Sequence, residues 1–204
     1  MNQQPLSIGF YQHWAAFLTL ALLMPIGHAA GSGIEDMEPP FSSGYAPDQE
    51  SEKLTNKGYR SYQQALYFGS QETPNGDAKA RTALKSAEKF LRRAAKKDQK
   101  NIRAFGLLGE VLARSEQPRK AIGAFNFALQ LNPKYYNAWL QRAKVLLGMG
   151  LFEDVKKSYI VLARNDAEMA TELLITIDTW AADREEALTT PESSFMEWRA
   201  TQGA

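Results

Sequence analysis

The chain has 204 residues, 44 % of them apolar and 23 % charged, the balance of an ordinary globular protein long enough to bury one core. Its formal net charge is +1, so the whole molecule exerts no long-range pull on nucleic acid or on an anionic surface, and any electrostatic specificity is local. Cysteine is absent, which excludes disulfides, thiolate nucleophiles, iron–sulfur clusters, cysteine-based zinc sites and the lipid-bearing cysteine of a bacterial lipoprotein.

Residues 1–29 read as a secretory signal peptide. Trp14 to Ile26 form an uncharged apolar run of thirteen, the length of a signal core and short of the roughly 20 residues a membrane span needs. Gly27 and Ala29 are small residues three and one positions before a cut after Ala29, which sends the mature chain out of the cytoplasm, most simply into a periplasm. The positive charge expected ahead of such a run is missing, since the first Lys or Arg is Lys53; an uncleaved anchor is the rival reading. His13 and His28, the only histidines, go with this segment, so the mature chain has no imidazole for catalysis or metal binding. Residues 30–52 are rich in Gly, Ser, Pro and acids without an apolar period, which predicts a flexible acidic linker.

From Lys53 onward the apolar spacing is three and four residues, never two, and predicts an all-α body. Tyr59, Tyr62 and Leu66 mark a helix over 53–69, the stretch from Gln71 to Asp77 breaks it, and Ala87, Leu91 and Ala94 mark a second helix. The segment 77–103 carries ten Lys and Arg against three acids, net +7, which suits either a solvated face or a face that meets an anionic lipid or acidic protein surface.

Residues 102–135 set the pattern. Phe105, Leu108, Gly109 and Leu112 share one face of a first helix; Ala121, Phe125 and Ala128 share one face of a second; Pro133 ends the unit because it cannot donate to a continuing helix and disfavours helical geometry at Asn132. Small residues at Gly109 and Ala121 let two helix axes approach to roughly 8–10 Å. In these positions the sequence resembles the tetratricopeptide repeat family, whose 34-residue unit places Trp, Leu, Gly and Tyr on helix A, Ala, Phe and Ala on helix B, and then Pro. The next unit, 136–169, follows with Trp139, Ala143 and Leu146 on helix A, a turn at Gly150, and Val155, Tyr159 and Leu162 on helix B, while Arg142 and Ala167 depart from the family's Leu and Pro.

The resemblance makes residues 53–101 a degenerate first repeat and predicts a short array of about two and a half repeats. Met169, Leu173, Ile177 and Trp180 form a stripe that predicts a capping helix over 170–188, and 189–204 is left as a tail in which Phe195 and Trp198 either dock on the array or meet a partner. Size and order are also similar to those of exported bacterial proteins with two or three such repeats.

The function the resemblance implies is protein binding, without cofactor or metal. In this family helix A residues form a concave face that takes an extended peptide or a partner helix. Carried over, that face comprises Arg103, Leu107, Glu110 and Arg114 from one unit, and Asn137, Leu140, Gln141 and Lys144 from the next, which either bind a partner or simply solvate the surface. Gly106 and Glu110 stand where family members that clamp a chaperone's terminal carboxylate carry Lys and Asn. The alternative is a structural protein that self-associates or docks on the envelope through the basic helix, while nucleic acid is not expected as a partner of an exported chain. No phosphate-binding glycine loop, zinc motif or nucleophile elbow occurs, and the acid pairs Glu153 with Asp154 and Glu185 with Glu186 are adjacent on a helix, where side chains diverge by about 100°, so no enzymatic activity is expected.

Overall fold

A computed structural model describes residues 46, 48–71, 73–184 and 188–202. The signal segment, most of the linker, and Glu185 and Glu186 lie outside the described residues. Among those described, every regular element is a helix: α1 Gln49–Gly69, α2 Pro74–Lys97, α3 Ile102–Arg114, α4 Pro118–Leu131, α5 Tyr136–Gly148, α6 Phe152–Asn165, α7 Ala167–Ala182 and α8 Thr190–Ala200. Helices α1 and α2, α3 and α4, and α5 and α6 pair as hairpins; each hairpin packs on the next, and α7 closes the stack against α5 and α6.

The period is visible in the helix ends. Asp98, Asn132 and Asp166 terminate α2, α4 and α6 at intervals of 34 residues, each in an extended conformation near φ −145°. Each donates its backbone N–H to a carbonyl four residues back, on Ala94, Ala128 and Leu162. Leu91 and Phe125 repeat at the same interval where the hairpin crosses: a Cβ added at Gly58 would lie 2.6 Å from Leu91 Cγ, and one at Gly109 would lie 2.5 Å from the Phe125 ring. In the third hairpin Ala143, fully buried, replaces the glycine. The turns match as well. Gln117 N–H reaches Leu112 O, and Leu151 N–H reaches Leu146 O, closures that require a left-handed residue before them; Glu116 supplies it at φ 58° and Gly150 at φ 69°.

Four expectations are corrected. The first repeat, expected to be degenerate, is a complete hairpin with longer helices than those of the other two. Residues 49–52, expected in the linker, belong to α1, because Asp48 accepts a hydrogen bond from Ser51 N–H and Glu50 and Glu52 sit on the positive end of the new helix. The capping helix begins at residue 167 rather than 170, and ends at 182 rather than 188. With no proline after it, Asp166 both ends α6 and caps α7 by accepting from Met169 N–H, so the third unit is cut short of its period. The tail is a helix: Thr189 N–H and Oγ1 both donate to Glu192 Oε2, Pro191 fits the first turn, and Glu192 also pairs with Arg184.

Two larger apolar clusters make most of the core, and a third, of Leu54, Ala94 and Ala104 with Phe90 against it, joins α1 and α2 to α3. One joins Tyr62, Leu91, Leu112 and Phe125 with Val145; the other joins Leu140, Leu146, Leu162, Leu173 and Ile177 with Trp180 and Phe195. Ile122 and Trp139 touch both. Trp139 packs at the junction of the second and third hairpins, its Nε1–H donating to Pro133 O at 2.9 Å. Phe195 is buried, stacked on Phe152 with centroids 4.6 Å apart, and Trp198 meets Tyr159 edge-on at 5.5 Å, so both tail aromatics dock on the array.

Candidate functional site

The inner face is built from the first helix of each hairpin, α1, α3 and α5, with α7 at its end. Its polar residues do not stand free. Arg103 Nη1 donates to Glu52 Oε1 at 3.0 Å and to Asn56 Oδ1 at 2.7 Å, with its guanidinium over the Tyr59 ring, tying α3 to α1. Arg114 Nε donates to Tyr62 Oη at 2.9 Å, a second tie between the same helices. Asn137 Nδ2 donates to Glu110 Oε1 at 3.3 Å, joining α5 to α3, and Lys144 Nζ meets Glu172 Oε1 at 2.6 Å, joining α5 to α7. Gln141 Nε2 reaches Asn137 Oδ1 at 3.4 Å within α5.

Leu107 and Leu140 were expected as the apolar contacts of this face. They are instead core residues, only 8 % and 2 % exposed, because both pack between hairpins rather than over them. Gly106, where a carboxylate clamp would carry Lys, has its open side filled: a Cβ there would lie 2.6 Å from the Tyr135 ring and 2.7 Å from its hydroxyl. The structure thus brings Arg103, Glu110, Arg114, Asn137, Gln141 and Lys144 onto one surface, already linked to their neighbours. Tyr62 and Tyr135, not singled out from sequence as site residues, complete it. The sign available for both was an aromatic at a hairpin position that shares a face with polar residues.

Between α1, α3 and α5 lies one small pocket of about 10 Å³, the room a single water needs, lined by Tyr62, Glu110, Arg114, Gln141, Lys144 and the edge of Phe125. Burial raises the Glu110 pKa above its ordinary 4.5, against the opposing pull of hydrogen bonds from Asn137 and Tyr62 and of the charges on Arg114 and Lys144. The Tyr62 and Tyr135 hydroxyls are each pushed up to about 12, first by burial and then by the Glu110 carboxylate.

Glu110 makes stability depend on pH with a definite sign. Its folded pKa exceeds the unfolded value, so between the two the folded chain holds more proton; this group's contribution is complete below pH 4.5 and is lost as pH rises through the folded pKa. Glu110→Gln keeps an acceptor for Asn137 and removes the titration. The variant is expected to melt above wild type near neutral pH, with the difference shrinking as pH approaches 4.5. Thermal melts across that range check it, and a difference independent of pH would show that Glu110 does not titrate anomalously.

The basic segment forms the outer side of the first hairpin. Arg81, Lys85, Lys89, Arg93, Lys96 and Lys97 are exposed on α2, and Arg92, also exposed, pairs with Glu88 at 2.8 Å. The acid pair Glu153 and Asp154 serves as ion-pair partners of Lys156 and Lys157, at 2.8 and 2.9 Å, and does not converge. Among the described residues no group of His, Cys, Asp and Glu could hold a metal ion, and no helix is long and apolar enough to cross a membrane.

No protein-family model matches the chain, and no curated protein does. Solved structures do. The first tetratricopeptide repeat domain of Spaghetti (RPAP3), bound to the HSP90 peptide SRMEEVD, aligns with a TM-score of 0.52 at 17 % identity, over 67 % of this chain and 99 % of that one. The tetratricopeptide repeat domain of Sgt2 from Aspergillus fumigatus aligns with a TM-score of 0.51 at 20 % identity, over 71 % and 89 % of the two chains. At these identities the likeness fixes the architecture: the chain has the tetratricopeptide-type array of helical hairpins.

Proposed function

We propose that this chain is an exported, non-enzymatic scaffold that receives a segment or helix of another protein on the inner face of its array. The observation that carries the reading is the pocket shared by the first helices of three consecutive hairpins, where Tyr62, Glu110, Arg114, Gln141 and Lys144 offer donors, acceptors and aromatic surface together. A solved structure of the same fold holds a peptide, which supports the same use here. Export rests on the apolar run at residues 14–26 and the small residues that follow it.

Because the cross-helix ties already occupy the charged groups, a partner gains most from the backbone and aromatic surface between them and from exchanging one tie for a contact of its own. Gln141, which is partly exposed at the pocket and held by one long hydrogen bond, is the position to test. Gln141→Arg places a bulky cation across the pocket beside Arg114 and Lys144. The melting temperature is expected to stay within about 2 °C of wild type, as for other surface substitutions. Recovery of the cross-linked partner, identified by mass spectrometry and then titrated in purified form, is expected to fall several-fold. Undiminished binding by a variant of unchanged stability would remove the inner face from the mechanism.

A further inference from the structure

We propose that the outer face of α2 is a docking surface for an anionic lipid bilayer. Unlike the inner-face reading, the proposal does not depend on a protein partner. On a helical wheel Arg81, Lys85, Lys89, Arg92 and Lys96 fall within an arc of about 80° and extend for about 22 Å along the helix. Ala83, Ala87, Leu91 and Ala94, buried against α1 and α3, lie on the opposite side, so the row points straight out of the molecule. Within it, among the described residues, only Arg92 is paired with an acid, Glu88.

Such a row works against the helix that carries it. Arg81 with Lys85, Lys85 with Lys89, and Arg92 with Lys96 are like charges one turn apart, each of which destabilises a helix. On the inner face every cation named above is matched by an acid, a tyrosine or an amide; on this face, among the described residues, Arg92 alone of the five is matched. An external anion removes that repulsion.

Three observations favour a bilayer as the anion. The row is straight and points away from the helices that α2 packs on, and its cations are on long flexible side chains, which suits a diffuse layer of headgroups better than a shaped site. Tyr67, 63 % exposed, stands at the tip of the same hairpin beside Phe68, whose ring lies under Lys79 at 5.4 Å. An exposed aromatic beside cations is the composition of a membrane interface. Finally, the apolar run at 14–26, whether cut or kept, brings the chain to a membrane. Nucleic acid, whose phosphates also attract such a row, is the competing anion that the test below separates from lipid.

The test is co-sedimentation of the full chain with phosphatidylcholine vesicles, with or without about 30 % phosphatidylglycerol. Wild type is expected to prefer the anionic vesicles and to lose the preference as salt rises from about 0.05 to about 0.5 M. Lys85→Glu/Lys89→Glu/Lys96→Glu is expected to weaken anionic-vesicle binding on the order of a hundredfold. A control with the same change in net charge on other exposed positions, Arg119→Glu/Lys134→Glu/Arg164→Glu, is expected to keep most of the binding. Equal binding to neutral and anionic vesicles would assign the interaction to the apolar segment and overturn the proposal. Equal losses in the two triple variants would overturn the choice of face, and binding to duplex DNA or polyglutamate without vesicle binding would overturn the choice of lipid. None of these outcomes bears on capture at the inner face, since the substituted residues lie away from it.

Discussion

Gly109→Leu is expected to lower stability by about 3 kcal/mol or more, because the position has no room for even the first side-chain carbon. An added Cβ would lie 2.5–2.8 Å from three atoms of the Phe125 ring, and that ring is itself 1 % exposed. Leu108, Leu112 and Ala121 pack in the same cluster, so the ring cannot swing aside without displacing them. For a chain of this size the loss corresponds to a fall in melting temperature of about 6–12 °C. Gly109→Ala tests the same contact with one carbon and is expected to cost about 1–3 kcal/mol. The decisive measurement is a cycle with Phe125→Leu. A smaller side chain at 125 makes room for the alanine, so the double variant should be more stable than the sum of the two single losses predicts by about 1 kcal/mol or more. Strict additivity would mean that the two residues do not press on each other and that the hairpin crossing is elsewhere.

The second large effect is at the other end of the chain. Phe195 is buried between Phe152, at 4.6 Å, Trp198, at 5.4 Å, and Trp180, at 6.2 Å. Truncating a buried phenylalanine costs about 3–5 kcal/mol where the surroundings cannot collapse. Helix α8 is held to the array largely through this cluster, with Arg199 to Asp178 at 2.6 Å and Arg184 to Glu192 as the polar ties. Phe195→Ala is therefore expected to release α8 before the hairpins unfold. Hydrogen exchange should show residues 190–200 losing protection first, and tryptophan fluorescence should shift to the red as Trp180 and Trp198 meet water. A variant whose tail stays protected while the whole array melts lower would show that α8 is continuous with the cooperative core rather than attached to its end.

The repeat was legible because its signal is side-chain volume at fixed spacing. Gly109, Ala121, Phe125 and Ala128 are set by how closely two helices approach, and that requirement leaves small and apolar residues at the corresponding positions of the other hairpins, as at Ala87, Leu91 and Ala94. Helix ends were less legible, since they depend on local hydrogen bonds that can override the period. Asp166 caps the helix after it only because no proline follows, and this shifts α7 by three residues. The first four residues of α1 read as linker because acids favour both disorder and a helix's positive end; Asp48 ahead of Glu50 and Glu52 was the clue that separated them. Thr189 and Glu192 likewise spelled a helix start in a tail that has too few apolar residues to show a stripe. At the inner face, sequence placed the right positions on one surface but not their bonds. Arg103 and Glu52 are 51 residues apart, and only the stacking of two hairpins of unequal length brings them to 3.0 Å.

The two larger apolar clusters of the interior share Ile122 and Trp139, and that junction sets how the array comes apart under denaturant. Units that contact only their neighbours melt as one when the interface between them outweighs the difference in their own stabilities, and in sequence when it does not. With those two side chains in place, the halves on either side of α5 are coupled and a single transition is favoured. Thinning the junction at either residue decouples them, so that a plateau opens in which one half is folded while the other has become a coil.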